Sequence, residues 1–191
     1  AGRDIVSSGT PLSGANGGNK TTGEYTYAGN LFVHNSPTDI SIASAGRDIL
    51  YSSFNVAGPG TLELTAGRNI QMEDKVAVNS LGAVAAGDSR PGASIVMQAG
   101  MGANGPDYRR FVEAYLNPAN LAQPGESLQG AKVAKTYENE LVTWLSERFG
   151  FAGDSEQART YYAALPAEQQ RIFARDVYFA ELKAAGREYN Q

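Results

Sequence analysis

Residues 45–66 read AGRDILYSSFNVAGPGTLELTA, and the pentapeptide opening this stretch, Ala-Gly-Arg-Asp-Ile, also opens the chain at Ala1 and returns as Ala-Gly-Arg-Asn-Ile at Ala66. The last two starts lie 21 residues apart and the first two 44, close to two such periods. A period near 21 or 22 belongs to repeat architectures, in which one supersecondary unit is stacked several times, rather than to a catalytic motif. Apolar pairs follow the spacing: Ile40 and Ile42 match Leu62 and Leu64, Ile49 matches Ile70, and Phe54 and Val56 match Val76 and Val78. Each period holds three alternating runs, DISIA, RDILYS and FNVAG, then TLELT, RNIQM and VAVNS, with glycine or small polar turns between them. Alternation of period two marks a strand with one buried face.

Three short strands cannot bury a core alone, but stacking successive coils in parallel gives each a neighbour above and below. The expected fold is therefore mixed: a right-handed parallel β-helix of about four to five coils, rising ~4.8 Å per coil, then an α-helical region. Its expected division is residues 1–105 and 106–191. Gly2, Gly46 and Gly67 fall at one corner, where φ would be positive and a Cβ would clash. Asp4, Asp48 and Asn69 follow, as short polar side chains that hydrogen-bond turn backbone, while Ile5, Ile49 and Ile70 point inward as a column. Leu64 is read as inward and Glu63 as outward, so Leu64→Asp is expected to unfold the solenoid and Glu63→Ala to do little. Two Gly/Ser/Pro-rich insertions, 7–23 and 80–92, read as surface loops; the second accounts for the 33 residues between Leu62 and Ile95. Solenoids often place binding function on such loops.

After GANGP the period changes. Tyr108, Phe111, Val112, Tyr115 and Leu116 form one helical stripe, capped by Asp107 and ended by Pro118. From about Ala131 a second stripe runs through Tyr137, Leu141, Trp144, Leu145 and Phe149 to a stop at Gly150. A third helix starts near Asp154 or Ser155 and reaches Leu165, and Pro166 opens a fourth with Ile172, Phe173, Val177, Phe179, Ala180 and Leu182. The tyrosines and Trp144 read as packing, and these helices are expected to cap the last coil, whose strand edges would otherwise invite aggregation.

Among 191 residues, 16 Lys and Arg stand against 20 Asp and Glu, a net charge of −4, with no basic cluster that would suit a phosphate backbone; nucleic acid is not expected as a partner. No apolar run is long enough to span a membrane, and the start of the sequence lacks a signal-peptide pattern, as a piece of a longer exported chain also would. Absence of cysteine removes disulfides, thiolate catalysis and Cys-based zinc sites. GANGGNKT, Gly14 to Thr21, misses the phosphate-loop pattern by one residue, Asn19, and leads into a strand-like run where that loop needs a helix. Asn19-Lys20-Thr21 is a glycosylation sequon. His34, the one histidine, cannot form a His-pair metal site and reads as structural. Asp48, Glu63, Glu73, Asp74 and Asp88 are the carboxylates that a β-helix polysaccharide lyase or hydrolase would draw on. No catalytic, cofactor or metal site is expected: Asp48 belongs to the repeated corner, Glu63 faces outward, and no Gly-Gly-x-Gly-x-Asp calcium repeat occurs.

The AGRDIL and AGRNIQ coils together with GPDYRRFVEAYLNPAN, ELVTWLSERFG and, above all, ALPAEQQRIFARDVYFAELKAAGREYN resemble the filamentous haemagglutinin family of bacterial outer-membrane exoproteins. The likeness covers nearly the whole chain and is closest to an uncharacterised family domain in which β-helical repeats lead into helices. What the resemblance implies is a non-enzymatic rod and display segment of a large adhesin, secreted or held at the cell surface. Its expected partners are an outer-membrane β-barrel transporter and a host-cell glycan or protein receptor. A cysteine-free chain suits passage unfolded through a narrow pore, and folding outside, where no ATP is available, would bias that passage outward. The readings set against it are a polysaccharide-active enzyme and the stalk or junction of a toxin-delivering exoprotein.

Overall fold

The computed structural model describes residues 1–6, 30–72, 76–103 and 105–189. The chain divides into two compact units, Ala1–Pro106 and Asp107–Gln191. The first contains, among the described residues, β1 (Ile5–Val6), β2 (Asn30–Val33), β3 (Ile40–Ala45), β4 (Ile49–Leu50), β5 (Phe54–Ala57), β6 (Thr61–Ala66), β7 (Ile70–Gln71), β8 (Val78–Ser80) and β9 (Ser94–Gln98). Each strand pairs in parallel with the third strand after it, which gives three sheets ordered β1-β4-β7, β2-β5-β8 and β3-β6-β9. The chain thus visits the three sheets in turn and lays each rung on the one before, a β-helix-like winding.

Among the described residues the rungs number three, against the four to five coils expected. Ile5 lies directly opposite Ile49, so these two strands are neighbours although 44 residues apart in sequence. The predicted loop 7–23, with the near phosphate-loop and the Asn19 sequon, lies outside the described residues.

Register corrects two of the apolar matches. Leu62 and Leu64 stand opposite Ser41 and Ala43, and Ile42 stands opposite Glu63. The repeated corner holds Ala45 against Ala66, and the strand leading into it keeps that 21-residue offset. A one-residue slip reverses every side chain, so Ile42 faces outward, 41% exposed, while Ala43 and Ala45 join the core. Phe54 pairs with Val78 and Val56 with Ser80, not with Val76 and Val78. The offset is 21 at Ile49–Ile70, 24 at Phe54–Val78 and 33 at Thr61–Ser94. The extra length of the last coil is therefore split between the corner before β8 and the segment between β8 and β9.

The core is closed in the middle rung and open toward both ends. Ile49, Val56, Leu62, Leu64 and Ala66 have no exposed surface. Their column neighbours Ile5, Phe32 and Ala43 on one side, and Ile70, Val78 and Ile95 on the other, are only half-buried. Full burial of one such side chain is worth roughly 1.5–3 kcal/mol before chain entropy, so the middle rung anchors its neighbours. Glu63 also has no exposed surface. It faces away from Leu62 and Leu64 as expected, yet it is not on the solvent side, so Glu63→Ala would remove a buried side chain rather than trim a surface one. The turn from β5 into β6 needs its glycines, since Gly58 and Gly60 hold φ of +86° and +96° and an added Cβ would lie 1.9 Å from His34 O and 2.3 Å from Asp39 O.

The second unit contains α1 (Tyr108–Leu116), α2 (Glu138–Phe149), α3 (Ser155–Ala164) and α4 (Ala167–Tyr189). Asp107 caps α1 by accepting from Arg110 N–H, Asp154 and Gln157 form a reciprocal capping box on α3, and Gly150 ends α2 in the left-handed region. The second helix begins at Glu138 rather than near Ala131. The residues before it are held as an extended pair, with Ala122 N–H on Val133 O at 3.0 Å and Val133 N–H on Asn120 O at 2.9 Å. Leu141, Leu145, Tyr162, Phe173 and Val177 form part of the core, and Trp144 meets Phe149, Tyr162 and Phe173 at ring distances of 5.5, 6.3 and 5.5 Å. Burial along α4 stops at Val177: Phe179 and Leu182, expected in its apolar stripe, are 42% and 54% exposed. Among the described residues, no helix is long and apolar enough to cross a membrane.

Candidate functional site: the stacked corner

The residues singled out by the repeat meet in space. Gly2, Gly46 and Gly67 stack at one corner, and Ile5, Ile49 and Ile70 pair in one column. The glycines are required by close approach rather than by φ, for none of the three adopts a positive value. An added Cβ at Gly46 would lie 2.4 Å from Gly2 O, and one at Gly67 would lie 2.1 Å from Gly46 O. Backbone therefore rests on backbone, with Gly46 N–H donating to Ala1 O and Gly67 N–H to Ala45 O, both at 3.0 Å.

The aspartates bond to the next rung instead of their own turn. Arg47 donates from Nε to Asp4 Oδ1 at 3.1 Å and from Nη2 to Asp4 Oδ2, while Asp48 N–H donates to Asp4 Oδ1 at 3.2 Å. One rung later Arg68 Nη2 donates to Asp48 Oδ2, and Asp48 Oδ1 accepts from Asn69 N–H at 3.1 Å and Asn69 Nδ2 at 3.0 Å. Every aspartate thus receives an arginine and a backbone amide from the rung that follows. The Arg47 guanidinium holds the Asp4 carboxyl below its usual range, and Arg68 does the same for Asp48, whose residue is 6% exposed. The ladder ends at Asn69. After β9 the chain brings Gly100 and Met101 to this corner, with Gly100 N–H on Arg68 O and Met101 N–H on Ala66 O, both at 2.9 Å, and no arginine. A carboxylate at position 69 would have no cation there to receive.

Sequence reading picked out glycine, aspartate and isoleucine but missed Arg47 and Arg68, although arginine recurs in all three copies beside an acidic or amide residue. It also missed a second inter-rung bond, Asn79 Nδ2 to Asn55 Oδ1 at 2.9 Å, on a buried asparagine facing away from the core.

The remaining candidates are not brought together. Asp48 precedes β4, Glu63 lies in mid-β6 and Asp88 lies in the segment after β8; Glu73 and Asp74 fall outside the described residues. Among the described residues, no three His, Asp or Glu side chains gather around a point that could hold a metal ion. Asp88 is held by Arg90, whose Nε and backbone N–H reach Asp88 Oδ1 at 3.0 Å, and its carboxyl is drawn down to about 2. Arg90 Nη1 reaches further, to Asn35 O at 2.6 Å, so the loop after β8 is tied to the turn after β2. His34 is 3% exposed with both ring nitrogens engaged: Nδ1–H donates to Pro59 O at 2.8 Å, and Nε2 lies 2.8 Å from Ser41 Oγ. In the helical unit a cleft of about 350 Å³ has Val112, Leu116 and Tyr162 on its floor and Arg109, Glu113 and Arg159 among its lining residues. Arg109 pairs with Glu113 at 3.5 Å, and Arg159 pairs with Glu138.

Comparison with family models, with curated proteins and with solved structures gives no match to this chain.

Proposed function

We propose that this chain is a non-enzymatic structural and interaction segment of a large secreted surface rod of the filamentous haemagglutinin kind. In this reading the first unit is a right-handed parallel β-helix, the hand that parallel strand crossovers overwhelmingly take. The observation that supports it is the pairing of each strand with the third after it, reinforced by a corner that repeats its glycine contact and its arginine–aspartate bond. Such a segment does its work by spacing and display. Residues 7–23 and 80–92 are its contact surfaces, a host-cell glycan or protein its receptor, and an outer-membrane β-barrel its export partner.

The test is a glycan and host-cell binding screen of the protein with each insertion deleted in turn. Binding should disappear with one deletion while the β-rich circular dichroism and its melting persist. Equal binding by all forms would remove the display role. Polysaccharide turnover lost on Asp88→Asn would assign an enzyme in its place.

A further inference from the structure

The cleft of about 350 Å³ in the helical unit is walled by one face of α1, the turn at Pro118 and one face of α3. Arg109, Val112, Glu113 and Leu116 are spaced by three and four residues and so share the α1 wall, and Arg159, Tyr162 and Ala163 share the α3 wall in the same way. Each wall therefore carries an arginine one turn before its apolar floor. The floor is preformed: Val112, Leu116 and Tyr162 are buried, and the Tyr162 hydroxyl donates to Gln170 O at 2.7 Å, which fixes the ring. Burial raises the Tyr162 hydroxyl above its usual range, and Arg109 and Glu113 act on it with opposite signs, so the charges of the α1 wall are felt at the floor of the α3 wall.

Charge decides what such a space accepts. Two arginines line it against one glutamate. The Arg109–Glu113 pair spans 3.5 Å between exposed side chains, a contact worth about 0–1 kcal/mol that a better acceptor displaces. Arg159 bonds to Glu138 through Nη1, and its other guanidinium nitrogens have no carboxylate among the described residues. Asn117 Oδ1 accepts from Ala119 N–H at 3.0 Å, so its amide nitrogen remains to donate. The volume lies at the small end of ligand sites, with room for one ring or a short chain.

We propose that this cleft binds a small apolar carboxylate, its ring or chain on Val112, Leu116 and Tyr162 and its carboxylate on the Arg109 guanidinium, with Arg159 and Asn117 as further donors. A neutral ligand would leave the arginines without an acceptor, and an ammonium would meet a net positive lining. A free small acid and the C-terminal residue of a peptide offer the same chemistry. The site lies wholly within the helical unit and does not depend on the rod reading.

The test is an NMR titration of the full chain with phenylbutyrate, its carboxamide, phenylbutylamine and the peptide Gly-Gly-Phe, reading amide shifts at Val112, Leu116, Tyr162 and Ala163. Phenylbutyrate should give saturable shifts at these positions. Its carboxamide should bind about tenfold more weakly, and Arg109→Ala should weaken binding of the acid by a similar factor. Ala163→Phe fills the cleft from an exposed position, so it should abolish the shifts while helical circular dichroism persists. Gly-Gly-Phe binding as tightly as phenylbutyrate would identify a peptide terminus as the source, and binding only weakly would identify a free acid. Equal binding of acid and carboxamide, preference for the amine, unchanged affinity in Arg109→Ala, or no saturable shift up to about 10 mM would each overturn the carboxylate site.

Discussion

An alanine at Gly46 would drive its β-carbon to 2.4 Å from a carbonyl oxygen of the rung before it, and one at Gly67 to 2.1 Å, whereas an alanine at Gly2 meets nothing. The neighbour in each tight case is backbone already fixed by hydrogen bonds, so relief requires the rungs to separate. Gly46→Ala and Gly67→Ala should each cost about 3 kcal/mol, at the upper end of overpacking, and Gly2→Ala should stay within about 0.5 kcal/mol. Denaturant melts of the three variants check this; equal costs would mean that the glycines serve chain flexibility rather than contact. The corner was legible in sequence because glycine recurs there, but its reason was not. Repetition shows that a Cβ is excluded and cannot tell a positive φ from a carbonyl pressed against Cα.

Strand and corner together carry the acid sensitivity of the solenoid. Asp4, Asp48 and Asp88 all titrate below the free value of 3.8, through hydrogen bonds from Arg47, Arg68 and Arg90. The unfolded chain therefore takes up protons first as pH falls, and the stability these groups give is complete above that value and lost as pH drops through their folded values. The Tm should hold level from neutral pH to about 5, then fall below 3.8, and Asp48→Asn should flatten the fall. At this scale alternation located β3, β5 and β6, where Leu62 and Leu64 announce the strand, but named no run at β2 or β9. It misassigned Ile40 and Ile42, because a run that reads apolar at every second position is equally consistent with either face until a partner sets the register. Extra residues before β8 hid the Phe54–Val78 match for the same reason. Glu63 misled in another way: a carboxylate between two leucines reads as solvent-facing, and only the folded chain reveals it without exposed surface.

Across the whole molecule the two units have separate cores, one of stacked aliphatic columns and one of aromatic rings on helices. Residues 107–191 expressed alone should show a helical circular dichroism spectrum and a cooperative melt, as expected of a segment with its own buried Leu141, Leu145, Phe173 and Val177. A non-cooperative, coil-like spectrum would show that this core depends on the other unit. The change of period after residue 106 made the division readable; the exposed end of α4 was not, because a stripe records which side chains are apolar and not how far a neighbour reaches. Within the solenoid, the reach of Arg90 from the last coil to Asn35 in the first alters how the stack comes apart. In a simple stack each layer answers only to the layers it touches, and the ends fray independently. A tether that skips the middle layer adds a direct link between the outer two, worth about 1 kcal/mol as a single hydrogen bond, so that fraying at one end is felt to that extent at the other.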